Sequence, residues 1–361
     1  MNIFNLLAKK KHIVGIEISD TAIHFAYFND KKGFNKKIQH NKKELVLIEE
    51  ILKENIVSGG IVIDKKSLSK TLEKMLTKAK LKSSYAIVSI PEDMVYSHIF
   101  PFPKTENETQ LKEAIDLAIN FELPVKKEDV YLGWENACDS NTTNEILVSA
   151  IPKNIADEYI DALYSANIKI LALESHLSSI ARSAKFKFGE TILFTKINPK
   201  GSTIFILKDR SIRFSRTILT TFFKENDFLT KEIDRIKTWF ESEKKVSITE
   251  QSLENATVKD EYLEYMKQNG IATELQSKWL IALGTNMRGE IKEGEDKQIS
   301  LLPIGTAEAY AYQKITIFIT MLRNMTIGVS IFFLFTFFIV YLFILSLSQI
   351  CLLYTSDAAD E

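Results

Sequence analysis

Short runs of apolar, often β-branched residues recur along the first 220 residues of the chain. The first run, Ile13–Ile18, is separated by a short polar turn from a second run at Ala22–Phe28. Runs of this kind, bounded by polar turns, are typical of buried strands. By the same criterion we predict further strands at 85–90, 145–151, 168–173, 191–197, 202–207 and 211–218.

Helical spacing of apolar residues marks several of the segments between these strands. Leu68, Leu72 and Met75 show it clearly, because residues three or four apart share one face of a helix. Strands that alternate with helices in this way predict an α/β fold. Polar residues dominate 243–275, where the pattern predicts little. The predicted helices cover 66–79, 109–121, 154–166 and 175–183.

The three-strand pattern occurs twice, first from residue 13 and again from residue 191. We interpret this recurrence as two related lobes that enclose a cleft. We expect the first lobe to cover residues 1–185, with a smaller subdomain inserted at about 92–145, and the second lobe to cover 186–291.

Charged residues are distributed unevenly along the chain. The 46 Lys+Arg and 47 Asp+Glu nearly cancel, which argues against a nucleic-acid binder that relies on a basic surface. Residues 324–356 carry no charge, and Ile327–Leu345 is almost entirely apolar. At the helical rise per residue this stretch is long enough to cross the hydrocarbon core of a bilayer. We therefore predict a transmembrane helix at 324–348, with a buried core helix as the alternative.

The flanks of this apolar stretch predict its orientation. Lys314 and Arg323 precede it and no basic residue follows, so the positive-inside rule places residues 1–323 in the cytoplasm. The tail at 349–361 fits neither a helix nor a strand pattern and resembles translated adaptor sequence. We expect the natural protein to continue differently after about Gln349.

Common catalytic and metal-binding signatures are absent from the sequence. It contains no Walker A loop, no Gly-x-Gly-x-x-Gly and no His-Glu-x-x-His motif. The two cysteines, Cys138 and Cys351, cannot build a disulfide framework or a four-cysteine zinc site within one chain. We predict no catalytic residue and no metal site.

A resemblance to a known family emerges from several segments taken together. Val14–Tyr27 resembles the first phosphate loop of the actin-like ATPases, specifically of the PilM family of type IV pilus assembly proteins, which is related to FtsA. The order and spacing of the segments carry the resemblance. It implies an actin-like (ribonuclease H-like) α/β fold of two duplicated lobes with inserted smaller subdomains. The other segments are 60–64, 88–92, 113–115, 123–124, 149–153, 173–175, 214–216 and 281–289.

A second resemblance lies just before the apolar stretch. Ile299–Pro303 (ISLLP) resembles the Ile-Asn-Leu-Leu-Pro peptide that opens PilN, a single-span inner-membrane protein whose cytoplasmic tail docks into a groove of PilM. The layout, with a linker at 292–323 before the span, implies a PilM-like body joined to the N-terminal part of a PilN-like protein. Docking in the same chain or in a neighbour is compatible with this layout, and a plain interdomain linker is the alternative. The implied partner-binding residues are Ile299, Ser300, Leu301, Leu302 and Pro303.

The resemblance to the actin-like ATPases also bears on whether this chain binds ATP. Actin-like folds bind ATP with Mg²⁺ through two phosphate loops in which Asp precedes a glycine turn. In this chain Glu17 and Ser19 stand at those positions of the first loop, and Lys196 and Asn198 at those of the second. Lysine cannot ligate magnesium. Neutralisation of a phosphate by Lys196, which would permit metal-free binding, is the alternative to the more ordinary interpretation of a lysine on an exposed turn. We expect ATP binding to be weak or lost. The implied cofactor-binding residues are Glu17, Ser19, Thr21, Lys196, Asn198 and Gly284.

These observations favour a scaffold over an enzyme. The leading hypothesis is a pseudo-ATPase that links cytoplasmic motor components of a pilus or secretion system to the inner-membrane platform, with Lys31–Lys37 among its contact surfaces. The alternatives are a nucleotide-switched ATPase and an FtsA-like division scaffold at the membrane. Large residues at Thr220–Phe223, where the family has a Gly-Gly pair, argue against retained nucleotide binding.

Overall fold

The computed structural model describes residues 13–30, 43–104, 107–123, 125–139, 143–198, 200–219, 227–268, 270–272, 275–292 and 294–357. The chain divides into two units, Met1–Pro303 and Ile304–Glu361. The predictions on Lys31–Lys37 and Thr220–Phe223 lie outside the described residues.

In chain order the main elements are β1 (Ile13–Ile18), β2 (Ala22–Asp30), β3 (Lys43–Ile51), β4 (Val57–Ser58), β5 (Ile61–Val62), α1 (Lys65–Lys78), β6 (Ser84–Ile90), β7 (Tyr96–Pro103), α2 (Glu108–Glu122), β8 (Val130–Asp139), β9 (Thr143–Pro152), α3 (Lys153–Ser165), β10 (Ile168–Ser175), α4 (His176–Ser183), β11 (Thr191–Asn198), β12 (Gly201–Lys208), β13 (Ser211–Leu219), α5 (Phe228–Lys244), β14 (Thr249–Ser252), α6 (Asp260–Gln268), α7 (Gln276–Gly289) and α8 (Thr306–Asp357).

A five-stranded sheet with the order β10-β6-β1-β2-β3 forms the centre of the first unit. Strand β1 runs antiparallel to β2 but parallel to β6, and β6 runs parallel to β10. Since both faces of β1 are covered, its residues read as a continuous apolar run. Gly15 permits this packing, because a Cβ there would lie 2.5 Å from the amide nitrogen of Asn286 in α7.

The described residues of the first unit form three further sheets, of which β4 paired with β5 is the smallest. The strands β7, β9 and β8 form a three-stranded antiparallel sheet with α2, and Phe100, Ile115 and Ile119 lie in its separate core. A four-stranded sheet of order β13-β12-β11-β14 packs with α5 through Ile206 and Phe240. The boundaries proposed from the sequence for the two lobes and the inserted subdomain remain predictions.

The second unit contains α8, and two expectations about this part of the sequence are corrected. The helix begins at Thr306, inside the predicted linker, and it continues through Asp357, where no helix pattern was predicted. Apolar residues continue past Gln349 through Leu353 and keep the segment compatible with a helix. Within α8, Ile319–Ser348 is long and apolar enough to cross a membrane, by length and composition.

Candidate functional site

The segment Ile299–Pro303 packs against its own body. The side chains of Ile299, Leu301 and Leu302 are buried, with exposed fractions of 4%, 0% and 8%, and they belong to the main hydrophobic core. Burial of large aliphatic side chains stabilises such a contact by about 1.5–3 kcal/mol for each of them. A plain linker would not be buried to this degree.

Backbone hydrogen bonds fix the segment between two sheets. The Leu301 amide donates to the carbonyl oxygen of Leu173 in β10 at 2.7 Å, and the Leu173 amide donates to Ser300 Oγ at 3.4 Å. On the other side, the Ile299 amide donates to Glu135 Oε2 in β8 at 2.8 Å. We call the site between β8 and β10 the peptide groove.

Gly133 in β8 allows the segment to approach closely. A Cβ atom at this position would lie 3.1 Å from both Ile299 Cγ2 and the Ser300 carbonyl oxygen. Because that spacing is tighter than an ordinary van der Waals contact, a larger residue would push the segment outward.

Two arginines bind the start of the segment, and one buried carboxylate holds both of them. Arg288, at the end of α7, donates to the carbonyl oxygens of Ile299 at 2.7 Å and Gln298 at 2.9 Å, and to Glu174 Oε2 at 2.7 Å. Arg182 donates to Glu174 Oε2 at 2.8 Å and to Gln298 Oε1 at 3.0 Å. Burial alone would raise the pKa of Glu174, but the two guanidinium groups outweigh it and lower the pKa to about 2. Glu174 is therefore ionised and holds both arginines in place.

The residues of the predicted first phosphate loop bond within their own hairpin. Glu17 is buried, and its Oε2 lies 2.9 Å from Nδ1 of His24. Ser19 Oγ donates to the Ala22 carbonyl oxygen at 2.9 Å, and Thr21 is exposed in the same turn. The Glu17 carboxylate thus already has a partner in the protein.

Lys196 does not lie on an exposed turn, which corrects that interpretation. Its Nζ donates to Glu92 Oε1 at 3.1 Å, to Glu92 Oε2 at 3.2 Å and to His176 Nδ1 at 3.0 Å. The His176 Nδ1 must accept, since an ammonium can only donate, so Nε2 carries the proton and donates to the Ile18 carbonyl oxygen at 3.1 Å. Burial and the neighbouring Lys196 lower the pKa of His176 to about 4, which keeps the ring neutral.

The profile of the type IV pilus assembly protein PilM family matches residues 15–220, more than half of the chain. The chain belongs to the PilM family. Among solved structures it is similar to a PilM–PilN type IV pilus biogenesis complex, with 13% identity and a TM-score of 0.58 over 78% of this chain and 99% of that chain. No curated protein sequence matches it.

A second similar structure is the cytoplasmic domain of EpsL, an inner-membrane component of the type II secretion system of Vibrio cholerae. It has 8% identity and a TM-score of 0.42, and the match covers 67% of this chain and 82% of that chain. The actin-like fold expected from the sequence is confirmed for this PilM family member.

The described residues do not fit the magnesium-bound nucleotide that the fold implies. The family resemblance assigns the carboxylate position of the second loop to Lys196, whose ammonium cannot ligate magnesium, and the described part of the chain holds no group of three or more His, Cys, Asp or Glu residues able to bind a metal. Asn198 pairs with Gly201 across the turn between β11 and β12. A Cβ at Gly284 would lie 2.1 Å from the Ser179 carbonyl oxygen, so this glycine permits the crossing of α4 and α7.

The sequence analysis predicted the segment as a binding element but did not predict the groove residues that hold it. Glu174 and Arg288 lie in segments that carried the family resemblance, but nothing in their spacing indicated that they meet. Gly133, Glu135 and Arg182 carried no signal in the sequence. In the structure Ile299 bonds to Glu135 and Arg288 and lies beside Gly133, while Arg182 donates to the preceding Gln298.

Proposed function

We propose that this PilM family member is a membrane-tethered scaffold of a type IV pilus or related secretion system, in which a PilN-like peptide and anchor are joined to a PilM-like body. The observation that carries the proposal is the burial of Ile299, Leu301 and Leu302 in the peptide groove, with the Leu301 amide bonded to Leu173. The similar solved structure is a PilM–PilN complex, which supports the same pairing.

The connection to the groove is short in this chain. Helix α7 ends at Gly289, and the docked segment begins ten residues later at Ile299. Arg288 contacts that segment directly, so the helix and the segment are bonded to each other within one chain. A short tether raises the effective concentration of a docking segment, which favours docking within the chain over exchange between neighbours.

Anchoring and alignment are the proposed mechanism. Helix α8 supplies the apolar stretch that would hold the protein at the inner membrane, with the body on the cytoplasmic side. The body would then present its surfaces to cytoplasmic motor components at a fixed place beneath the platform. Because Lys196 disfavours bound magnesium, we assign no nucleotide cycle to this role.

Complementation of a deletion strain tests the proposal. We expect the wild-type gene to restore surface pili, and Leu301→Asp to fail because a carboxylate cannot be buried in the groove. Ile304→Asp is the matched control, since Ile304 is fully exposed three positions further on. Pili restored by Leu301→Asp at wild-type protein levels would overturn the proposed role of the segment.

A further inference from the structure

Three acceptor atoms surround the ammonium of Lys196. Both oxygens of Glu92 and Nδ1 of His176 lie 3.0–3.2 Å from its Nζ. Glu92 follows the carboxyl end of β6 and His176 follows that of β10, which are parallel neighbours in the central sheet. Lys196 reaches them from β11, which belongs to the four-stranded sheet. The cluster therefore joins two sheets at the edge where open α/β sheets commonly bind ligands.

A chelating carboxylate and a neutral imidazole nitrogen are ligands that transition-metal cations such as Mn²⁺ and Zn²⁺ accept. We propose that the ammonium of Lys196 takes the place of a bound divalent cation, and we call it the resident cation. It ties β11 to Glu92 and His176 in every molecule of the folded protein. The described residues do not fit a metal–nucleotide site, because the ammonium of Lys196 already supplies the positive charge that a metal ion would bring.

Burial makes this arrangement strong. The side chains of Glu92 and His176 are 4% and 1% exposed, and that of Lys196 is 15% exposed. Burial would raise the pKa of Glu92, but Lys196 outweighs it and the pKa is lowered, so the carboxylate stays ionised. With His176 neutral, the cluster contains one positive and one negative charge. Removal of the ammonium would leave a buried carboxylate without its counter-charge.

Two other carboxyl groups, those of Glu17 and Asp93, lie near the cluster. Glu17 on β1 is paired with His24, and Asp93 lies next to Glu92 with a pKa raised by burial. Within the described part of the chain, Lys196 Nζ donates to Glu92 and His176, and these two residues define the cation position. The contact between the sheets consequently does not depend on a nucleotide.

Thermal unfolding of the full chain in detergent tests this inference. We expect Lys196→Ala to lower the unfolding temperature by about 5–10 °C, because it breaks a buried ion pair. Millimolar Mn²⁺ should restore most of that loss by binding Glu92 and His176 in the vacated space, while the wild type should respond neither to Mn²⁺ nor to Mg²⁺ with ATP. Adding His176→Ala to Lys196→Ala should abolish the rescue.

Lys208→Ala is the matched control, because Lys208 lies at the opposite end of the β11–β12 hairpin, beside Thr191. It should change neither the unfolding temperature nor the response to Mn²⁺. Bound Mn²⁺ in Lys196→Ala should also show coupling to a histidine nitrogen in its electron-spin-echo spectrum. An unchanged unfolding temperature in Lys196→Ala, no rescue by Mn²⁺, or stabilisation of the wild type by magnesium and ATP would each overturn the inference.

A second pair of variants covers the case in which Lys196→Ala does not fold. Lys196→Met retains the volume of the stem but leaves the carboxylate unpaired, whereas Glu92→Gln with Lys196→Met removes both charges. We expect the double variant to unfold at a higher temperature than Lys196→Met. An equal or lower unfolding temperature in the double variant would contradict a resident cation.

Discussion

The amide of Leu301 donates to the carbonyl oxygen of Leu173 at 2.7 Å. Leu173 lies in β10, one of the two outer strands of the five-stranded sheet, and the Leu301 side chain has no exposed surface. The segment thus covers an edge that would otherwise present unpaired backbone groups. Recognition of an extended peptide at a sheet edge combines such backbone bonds with pockets for side chains.

Leu302→Asp should release the segment from the groove without unfolding the rest of the body. A buried leucine replaced by a charged residue loses about 2–5 kcal/mol of packing and incurs the cost of charge burial unless the segment detaches. Trypsin should then cleave after Lys292 and Lys297 faster than in the wild type. Ile304→Asp, at an exposed position, should leave both cleavage rates unchanged.

Gly133 should tolerate added side-chain volume poorly and in a graded way. Alanine requires Ile299 and Ser300 to move by a few tenths of an ångström, and valine requires a larger movement. We expect Gly133→Val to lower stability by about 1–3 kcal/mol, and Gly133→Ala by less. Urea unfolding followed by tryptophan fluorescence measures both, and a valine variant as stable as the wild type would contradict the close approach.

Acid should weaken the groove through Glu174. Its pKa falls from an ordinary 4.5 to about 2 on folding, so its contribution is complete above about pH 5 and is lost as the pH falls towards 2. The shift corresponds to about 3 kcal/mol. Unfolding temperatures measured from pH 7 to pH 3 should fall less steeply for Glu174→Gln than for the wild type. Glu73→Gln, on an exposed part of α1, should retain the wild-type slope.

Reporter fusions test the proposed orientation in the membrane. Alkaline phosphatase, which is active only outside the cytoplasm, should be inactive when fused after Pro303 and active when fused after Gln349, because Ile319–Ser348 would lie between the two positions. Phe335→Arg, in the middle of that stretch, should reduce the activity of the second fusion, since a central arginine costs about 2.5–3.5 kcal/mol on insertion. Equal activities at the two positions would exclude a span between them.

Much of the fold was predictable because its central strands are covered on both faces. The strands β1, β6 and β10 each contain an uninterrupted apolar run, at 14–16, 86–88 and 170–173, which stands out in the sequence. The strand β3 was missed, because KELVLIEEI mixes charged and apolar residues on a partly exposed strand. The helix α5 lies in a polar segment with only Ile236 and Phe240 buried, which leaves a weak periodic signal.

Of the candidate site, only the docked segment could be predicted from the sequence, and the groove residues that bind it could not. Ile299, Leu301 and Leu302 stand out as apolar residues beside a charged linker, and the family resemblance gave them a role. Their partners Glu174 and Arg288 lie 114 positions apart, and only the packing of α7 across the sheet brings them together. The sequence could place Lys196 on a turn, but its burial depends on Glu92 and His176, which follow the ends of β6 and β10.

Hydrogen exchange at the amide of Leu301 in the full chain tests the central claim, docking of Ile299–Pro303 in its own groove, most directly. Mass spectrometry of fragments that span 296–303 reports this amide together with that of Ile299, which is bonded to Glu135. We predict that both amides exchange as slowly as those of the core strands, and that Leu302→Asp, but not Ile304→Asp, makes them exchange quickly. Exchange of these amides at the rate of an unfolded chain in the wild type would contradict the account.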